Sequence, residues 1–230
     1  MIDRYSVSVI FPVYNEESVV VDALTEISSF LKKAFSKWEI IVVESGSTDN
    51  SSKLVDSFAR ENPCLKVFHQ KKREGFGSAL KLGFAHAEMD LVWVITPDIP
   101  FKLEKVFDAI PLLDKYNCVL SYRSEDKRHI SRRIMSLGYN TLLKCVFGLK
   151  QKHINSAFKL LKLDLLKTLT LRSNGWFIDA ELLNELKKRN VKTVEIPVEL
   201  IDRRKGESTV KFTSVIKILE EMFRYLTNRK

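Results

Sequence analysis

Residues 6–13 read SVSVIFPV, an apolar run rich in β-branched side chains and too continuous for a strand with one wet face. A strand of this kind is buried on both faces, as happens in parallel sheets covered by helices. The signature returns in WEIIVV (38–43), CLKVFH (64–69), LVWVI (91–95) and CVLSY (118–122). Helical patterns lie between these runs. In EESVVVDALTEISSFLKKAF (16–35), positions 20, 24, 27, 31 and 35 form one apolar stripe, and TDNSSKLVDSFAREN (48–62) opens with capping residues before its own stripe. The β-α-β-α order predicts an α/β fold with a mostly parallel, doubly wound sheet flanked by helices.

After about residue 125 the alternation becomes irregular. A basic amphipathic segment, ISRRIMSLGYNTLLKCVF (130–147), is followed by a strand near SAFKLLK (156–162) and a helix near AELLNELKKRN (180–190). A strand in VKTVEIPVEL (191–200) and an amphipathic helix over 213–228 close the chain. No polar or Pro/Gly-rich hinge divides the two halves, so residues 1–230 are read as one domain.

The 230 residues suffice for one sizeable core, and a composition 45% hydrophobic and 29% charged excludes a disordered chain. No run approaches the roughly 18 consecutive apolar residues of a membrane-spanning helix. MIDRYSVSVI (1–10) enters a strand pattern without a signal-peptide layout, so the expected location is cytoplasmic. Cys64, Cys118 and Cys145 are odd in number and form no CxxC pair, which suggests neither a disulfide framework nor a zinc site. The net charge of +9 calls for a polyanionic partner: nucleic acid, an anionic membrane or a phosphorylated substrate. No nucleic-acid motif or aromatic stacking platform accompanies that charge, so nucleic acid is not expected.

Ligands of open parallel sheets bind outside the carboxyl ends of the strands. There the chain places Tyr14, Asn15 and Glu16 after the first strand and Glu44 with SGSTD after the second. Arg73, Gly75 and Gly77 follow the third, Asp98 the fourth and Arg123 the fifth. These groups suit a sugar, a base, a phosphate or a cation. GFGSALKLG (75–83) lacks the GxGxxG spacing, and no GK[ST] loop occurs, which argues against a dinucleotide dehydrogenase or a P-loop hydrolase.

FPVYNEE (11–17), VVESGSTDNS (42–51), KREGFGSALKLGFAHA (72–87) and IDRRKGEST (201–209) together resemble glycosyltransferase family 2, in its dolichyl-phosphate mannosyltransferase-like branch. The resemblance runs from about residue 7 to residue 212. It implies a GT-A, Rossmann-like fold with a nucleotide-sugar half over about 1–125 and an acceptor half over about 126–230. It also implies a nucleotide-sugar donor, a polyprenyl phosphate acceptor, and Mg²⁺ or Mn²⁺. Pro12, Tyr14, Glu16, Glu44, Ser45, Arg73 and Gly75 fall on its donor-nucleotide positions. Glu44 stands where the family usually has an aspartate that bonds the base, and Ser45 replaces a second aspartate.

In WVITPDIPF (93–101), Thr96 and Asp98 occupy the places of the family's DxD-type metal motif, which leaves Asp98 as metal ligand and catalytic group. Magnesium commonly binds one or two carboxylates together with substrate phosphates, so one acid can suffice. The structural alternative is an aspartate capping a helix that starts near Phe101. Arg123, Arg132 and Arg203 match positions that bind the acceptor phosphate in this branch, a task suited to the planar guanidinium fork. His153, Ser156 and Ser208 complete the implied acceptor side. His153 stands where the family often has an aspartate, so no carboxylate base is evident for a hydroxyl acceptor. A phosphate monoester is already anionic at neutral pH and needs none.

Segments 130–147 and 213–228 are candidates for lying on a membrane surface, and a membrane-spanning partner subunit is the other route to a lipid substrate. A catalytically degenerate, family-2-like binding or regulatory subunit is the alternative function, motivated by Ser45, Thr96 and His153 at usually acidic positions.

Overall fold

The computed structural model describes residues 1–125, 130–201 and 212–227, leaving aside the side chains of 131, 132 and 212–216. In chain order the elements are β1 (Val7–Val13), α1 (Val20–Ala34), β2 (Trp38–Glu44), α2 (Ser51–Glu61), β3 (Leu65–His69), α3 (Phe76–Ala85), β4 (Leu91–Val94) and α4 (Lys105–Ala109). A 3₁₀ turn over Ile110–Asp114 leads to β5 (Cys118–Arg123), α5 (Ile130–Phe147), β6 (Lys159–Lys162), α6 (Leu163–Lys167), α7 (Ile178–Lys188), β7 (Thr193–Val198) and α8 (Phe212–Thr227).

The seven strands form one sheet in the order β3-β2-β1-β4-β6-β5-β7. Its pairs are parallel except where β6 runs antiparallel to both β4 and β5. The mostly parallel sheet expected from the apolar runs is therefore present, with one reversed strand in its middle. β6 ends at the edge where β4 and β5 begin, and Leu163 starts α6 immediately after it.

Each strand serves both faces of the sheet, which explains the unbroken apolar runs. Val7, Val9, Phe11 and Val13 pack beneath α1, whose Val20, Leu24, Ile27 and Leu31 are fully buried. The alternate residues Ile10, Ile41, Val43, Val92 and Val94 face the opposite core, which α3, α5, α7 and α8 cover. α2 is capped one residue earlier than its Asn50 boundary suggests. The Asp49 carboxylate accepts the N–H of Ser51 at 2.9 Å and that of Glu17 at 3.1 Å, tying the helix to the loop after β1.

The two amphipathic segments of the second half behave differently. α5 turns Leu143 and Phe147 into the core, while Ile130, Ile134 and Leu137 are 65%, 64% and 68% exposed. α8 buries Ile218 and packs Met222, Tyr225 and Leu226 on the same core, leaving Leu219 and Phe223 exposed. No helix among the described residues is long and apolar enough to cross a membrane.

A buried charge pair sits where β6 meets α7. Lys159 and Asp179 are 5% and 4% exposed, 3.3 Å apart, and the Lys159 ammonium also donates to the Ser156 carbonyl. Burial pushes the Asp179 carboxyl above its ordinary value, and the ammonium offsets part of that rise. Removing one partner strands the other. Lys159→Met is expected to lower unfolding free energy by about 3–5 kcal/mol at neutral pH, with the loss shrinking as falling pH neutralises Asp179. Adding Asp179→Leu restores most of it; urea unfolding at pH 5 and pH 8 reads both effects.

Candidate donor and acceptor sites

Beyond Ile10 and Val94 the ladder between β1 and β4 stops, and this is also where strand order reverses direction. An open sheet has its natural binding crevice at such a point. Pro12 fits this position. The backbone of Ile10 faces β4, where its carbonyl accepts the Ile95 N–H, and Pro12, two residues on, faces the same side after pairing has ended. A missing N–H costs no ladder bond there.

Pro12, Val13, Tyr14, Glu16, Ser45, Arg73, Gly75, Thr96 and Pro97 line this cleft with Phe76, Ala79 and Trp176, around an enclosed volume of about 90 Å³ that opens to solvent. Six of the seven donor positions implied by the resemblance thus converge. The Arg73 guanidinium lies 4.2 Å from the Tyr14 ring centroid, adding a cationic wall. The loops after β1 and β2 are stitched together: Asn15, at φ 53°, accepts the Thr48 N–H at 2.8 Å and gives its own N–H to Ser47 Oγ at 3.0 Å.

The seventh donor position, Glu44, is placed differently from the base contact expected of it. It is 3% exposed and is not among the lining residues of the cleft. One of its oxygens accepts the Ser47 N–H at 2.6 Å and the other faces His69 Nδ1 at 3.2 Å, while His69 Nε2 reaches Asp56 at 2.9 Å. Its position at the end of β2, beside His69 of β3, directs it into the loop rather than out of it. Glu44 shapes the 45–48 loop, and Ser45 meets the cleft.

The turn after β4 presents Asp98. The Thr96 carbonyl accepts the Ile99 N–H at 2.9 Å, and Thr96 Oγ1 donates to Asp98 Oδ1 at 2.5 Å. Ile99 sits at φ 36°, a strained conformation for a β-branched residue, held between Pro97 and Pro100 and buried beneath the turn. No helix starts at Phe101; α4 begins at Lys105, so Asp98 does not serve as its cap. Among the described residues no three His, Cys, Asp or Glu side chains converge on a common point. Thr96 and Pro97 line the cleft and Asp98, half-buried, follows them in the turn; a single carboxylate so placed fits a divalent ion that arrives with a diphosphate, and does not constitute an all-protein cage.

Of the residues implied for the acceptor, His153 lines a second opening, and Arg123 adjoins it through its backbone. β6 is antiparallel to both neighbours, so β4 and β5 run the same way; Val94 and Leu120 both pair with Lys159. Asp98 and Arg123 therefore leave the same edge of the sheet. The Arg123 N–H donates to His153 Nδ1 at 3.1 Å, which assigns the proton of that ring to Nε2 when it is neutral. His153 lies at an open-mouthed cavity of about 390 Å³, lined by Arg133, Ile134, Leu137, Asn140, Lys144 and Lys152 among others. Asn140 accepts the Ile154 N–H at 2.9 Å, and Glu195 accepts the Lys152 N–H at 2.9 Å, so the 151–154 loop is fixed from two sides.

Ser156, expected at the acceptor, is instead 2% exposed. Its hydroxyl accepts the Ser121 N–H at 2.6 Å and donates to the Phe158 carbonyl at 2.5 Å, fastening β5 to β6. Arg132 belongs to α5, with its side chain outside the described residues, and Arg203 and Ser208 lie outside them entirely. The sequence reading missed Phe76, Trp176, Arg133, Lys144 and Lys152. GFGSALKLG contained a signal for the aromatic pair: a Cβ on Gly75 would stand 2.3 Å from the Asn174 carbonyl oxygen and one on Gly77 2.6 Å from that of Ser173. These glycines admit a neighbouring loop rather than a phosphate.

A crevice at the switch point of a mixed sheet, with an acid in the adjoining turn and a cationic opening on the same edge, fits the GT-A class of glycosyltransferases. Residues 8–170 match the model of Glycosyl transferase family 2, and the chain belongs to that family, in its dolichyl-phosphate glycosyltransferase branch. A dolichyl-phosphate beta-glucosyltransferase of Trichomonas vaginalis is 30% identical over 95% of this chain and 72% of its own length. The Saccharomyces cerevisiae dolichyl-phosphate beta-glucosyltransferase is 27% identical over 83% of this chain and 65% of its own. Both are named for glucose, where the motifs alone suggested a mannosyltransferase type. Among solved structures, glucosyl-3-phosphoglycerate synthase from Mycobacterium tuberculosis in complex with Mn²⁺, uridine diphosphate and phosphoglyceric acid shares the fold. Its TM-score is 0.69 at 19% identity, covering 96% of this chain and 78% of that one.

The Glu44–His69–Asp56 bridge makes the donor loop pH-dependent. Partial burial alone would lower the His69 pKa, but its bonds to Asp56 and Glu44 outweigh that and the net shift is upward. Burial would raise the Glu44 pKa, yet the Ser47 and His69 bonds pull it below the ordinary carboxylate value. A raised imidazole stabilises the fold fully below its unfolded pKa and loses that contribution as pH rises through the folded one. The urea midpoint should therefore fall more steeply for the native chain than for His69→Gln between about pH 6 and about pH 8.5, around the ordinary imidazole value. Parallel curves would show that the bridge contributes nothing.

Proposed function

We propose that this protein transfers glucose from a nucleoside-diphosphate donor to a polyprenyl phosphate at the cytoplasmic face of a membrane. The observation that carries this reading is the pair of openings on one sheet edge, a cleft at the switch point lined by the donor positions and a cationic cavity walled by exposed apolar residues. The choice of glucose rests on the names of the relatives, and uridine diphosphate in the structural neighbour makes UDP-glucose the first donor to test.

The cleft holds the nucleoside between Pro12, Tyr14 and Ser45, with Arg73 at the diphosphate. Lys144, Lys152 and Arg133 attract the acceptor phosphate, and His153 Nε2 donates to it. A phosphate oxygen attacks the sugar's anomeric carbon, forming a new C–O bond. The bond from that carbon to the β-phosphate oxygen breaks, and the nucleoside diphosphate leaves with the electron pair. The nucleophile is already anionic, so no carboxylate base takes a proton, consistent with His153 at a usually acidic position. A divalent ion held by Asp98, when bound, neutralises charge on the departing diphosphate. The strained 96–99 turn holds that carboxylate beside Thr96 and Pro97, which line the cleft.

The prenyl chain runs along the outward face of α5. Ile130, Ile134 and Leu137 would sink among the lipid tails while Arg133 and Lys144 meet anionic headgroups. This places the catalytic edge at the membrane without a spanning helix; a membrane-spanning partner is a second route to the same position.

Purified protein with UDP-glucose, Mn²⁺ and dolichyl phosphate should form a glucosyl phospholipid. Asp98→Ala should cut kcat/KM by about 10²–10³-fold, the scale of a lost electrostatic stabiliser; full activity of that variant in chelator would remove Asp98 and the metal from the reaction. The double variant Ile134→Ser/Leu137→Ser should lose about tenfold in rate on vesicle-borne acceptor, through lost apolar insertion, and stay within about twofold on a short-chain soluble prenyl phosphate. Equal losses on both would mean that α5 acts on folding rather than on membrane contact.

A further inference from the structure

Five backbone groups of the turn that carries Trp176 are held by side chains from elsewhere. Glu181, buried in α7, accepts the N–H groups of Arg172 and Ser173, both at 2.8 Å. Lys81 of α3 donates to the Arg172 carbonyl at 2.9 Å and to Asn174 Oδ1 at 2.7 Å, and the Ser78 N–H donates to the Asn174 carbonyl at 3.0 Å. The last two N–H groups go to α8: Glu221 accepts that of Gly175 at 2.7 Å and that of Phe177 at 3.2 Å. A Cβ on Gly175 would stand 2.6 Å from Glu221 Oε1, so helix and turn are in close contact. Between those two N–H groups sits Trp176, stacked on Phe76 with centroids 4.5 Å apart and planes 16° from parallel. Both rings line the donor cleft.

We propose that Glu221 is a positioning residue of the donor cleft. It ties α8 to the turn that sets Trp176 against Phe76, and so makes nucleotide affinity conditional on α8 being docked. A carboxylate suits this task because it accepts two converging N–H donors at once, and such charge-assisted bonds are among the stronger ones. A second tether of α8 goes to α7: Tyr225 bonds Glu185 and Asn184, each at 2.8 Å, while its ring packs on that of Phe177 with centroids 5.5 Å apart. Ile218, Met222 and Leu226 pack on the core. Among the described residues Glu221 is thus the side chain of α8 that reaches the backbone around Trp176. The proposal rests on reading the cleft as the nucleotide site.

The test is calorimetric binding of Mn²⁺–UDP and Mn²⁺–GDP to the full chain. If neither binds the native protein, the cleft reading fails and this inference with it. If one binds, Glu221→Gln should weaken it about tenfold, because an amide offers one acceptor where two N–H groups need two. Trp176→Ala should weaken it comparably. Adding Glu221→Gln to Trp176→Ala should then cost less than about twofold more, since both act through one ring. Tyr225→Phe, which loosens α8 at its other tether, should leave nucleotide affinity within twofold. Should Glu221→Gln not fold, the same cycle is run with Glu221→Asp. Unchanged affinity in the Glu221 variant, a full additive loss in the double variant, or an equal loss in Tyr225→Phe would each overturn the proposal.

Discussion

Lys159 lies in β6 level with Val94 of β4 on one side and Leu120 of β5 on the other, and its ammonium ends against Asp179 and the Ser156 carbonyl. A charge at 5% exposure is tolerated only when paired and hydrogen-bonded. That requirement fixes how the two halves of the sheet meet. The antiparallel strand keeps β4 and β5 pointing the same way, so Asp98 and Arg123 emerge on one edge, and α7 is drawn against the same strand through Asp179. The donor crevice and the acceptor cavity derive their common orientation from this junction.

The donor side is built by restricting backbone rather than by crowding polar side chains. Pro12 sits just past the ladder between β1 and β4, Pro97 and Pro100 confine the turn around Asp98, and Asn15 and Ile99 occupy positive φ. Strain of this sort is affordable because the flanking strands are fully buried and over-determine the loops between them. Glu44 and His69 act one layer below, where a carboxylate and an imidazole hold the 45–48 loop without entering the cleft. The acceptor side is looser in construction, a cationic cavity roofed by a helix whose apolar stripe faces outward.

Much of the architecture was legible in the chain because burial on both faces leaves an unbroken apolar signature. Val7 to Val13, Ile40 to Val43 and Leu91 to Val94 could hardly have been anything but covered strands. The stripe of α1 was readable for the same reason, since Val20, Leu24, Ile27 and Leu31 are all fully buried. Periodicity reports that a stripe exists and not which way it turns. The stripe of α5 reads like that of α1, yet its Ile130, Ile134 and Leu137 face outward and the core takes Leu143 and Phe147.

By itself the sequence determined the strand-and-helix alternation, the strand ends at which polar groups collect, and the motifs that mark the family, because these depend on neighbours within a few residues. Tertiary structure decided the reversal of β6, the withdrawal of Glu44 and Ser156 into supporting positions, and the arrival of Trp176 in the donor cleft. Each of these depends on a partner distant in the chain: Val94 for Lys159, His69 for Glu44, Ser121 for Ser156, and Phe76 and Glu221 for the turn around Trp176. A carboxylate or hydroxyl at a strand end looks the same in sequence whether it faces a ligand or a backbone N–H; only the fold supplies the competing donor.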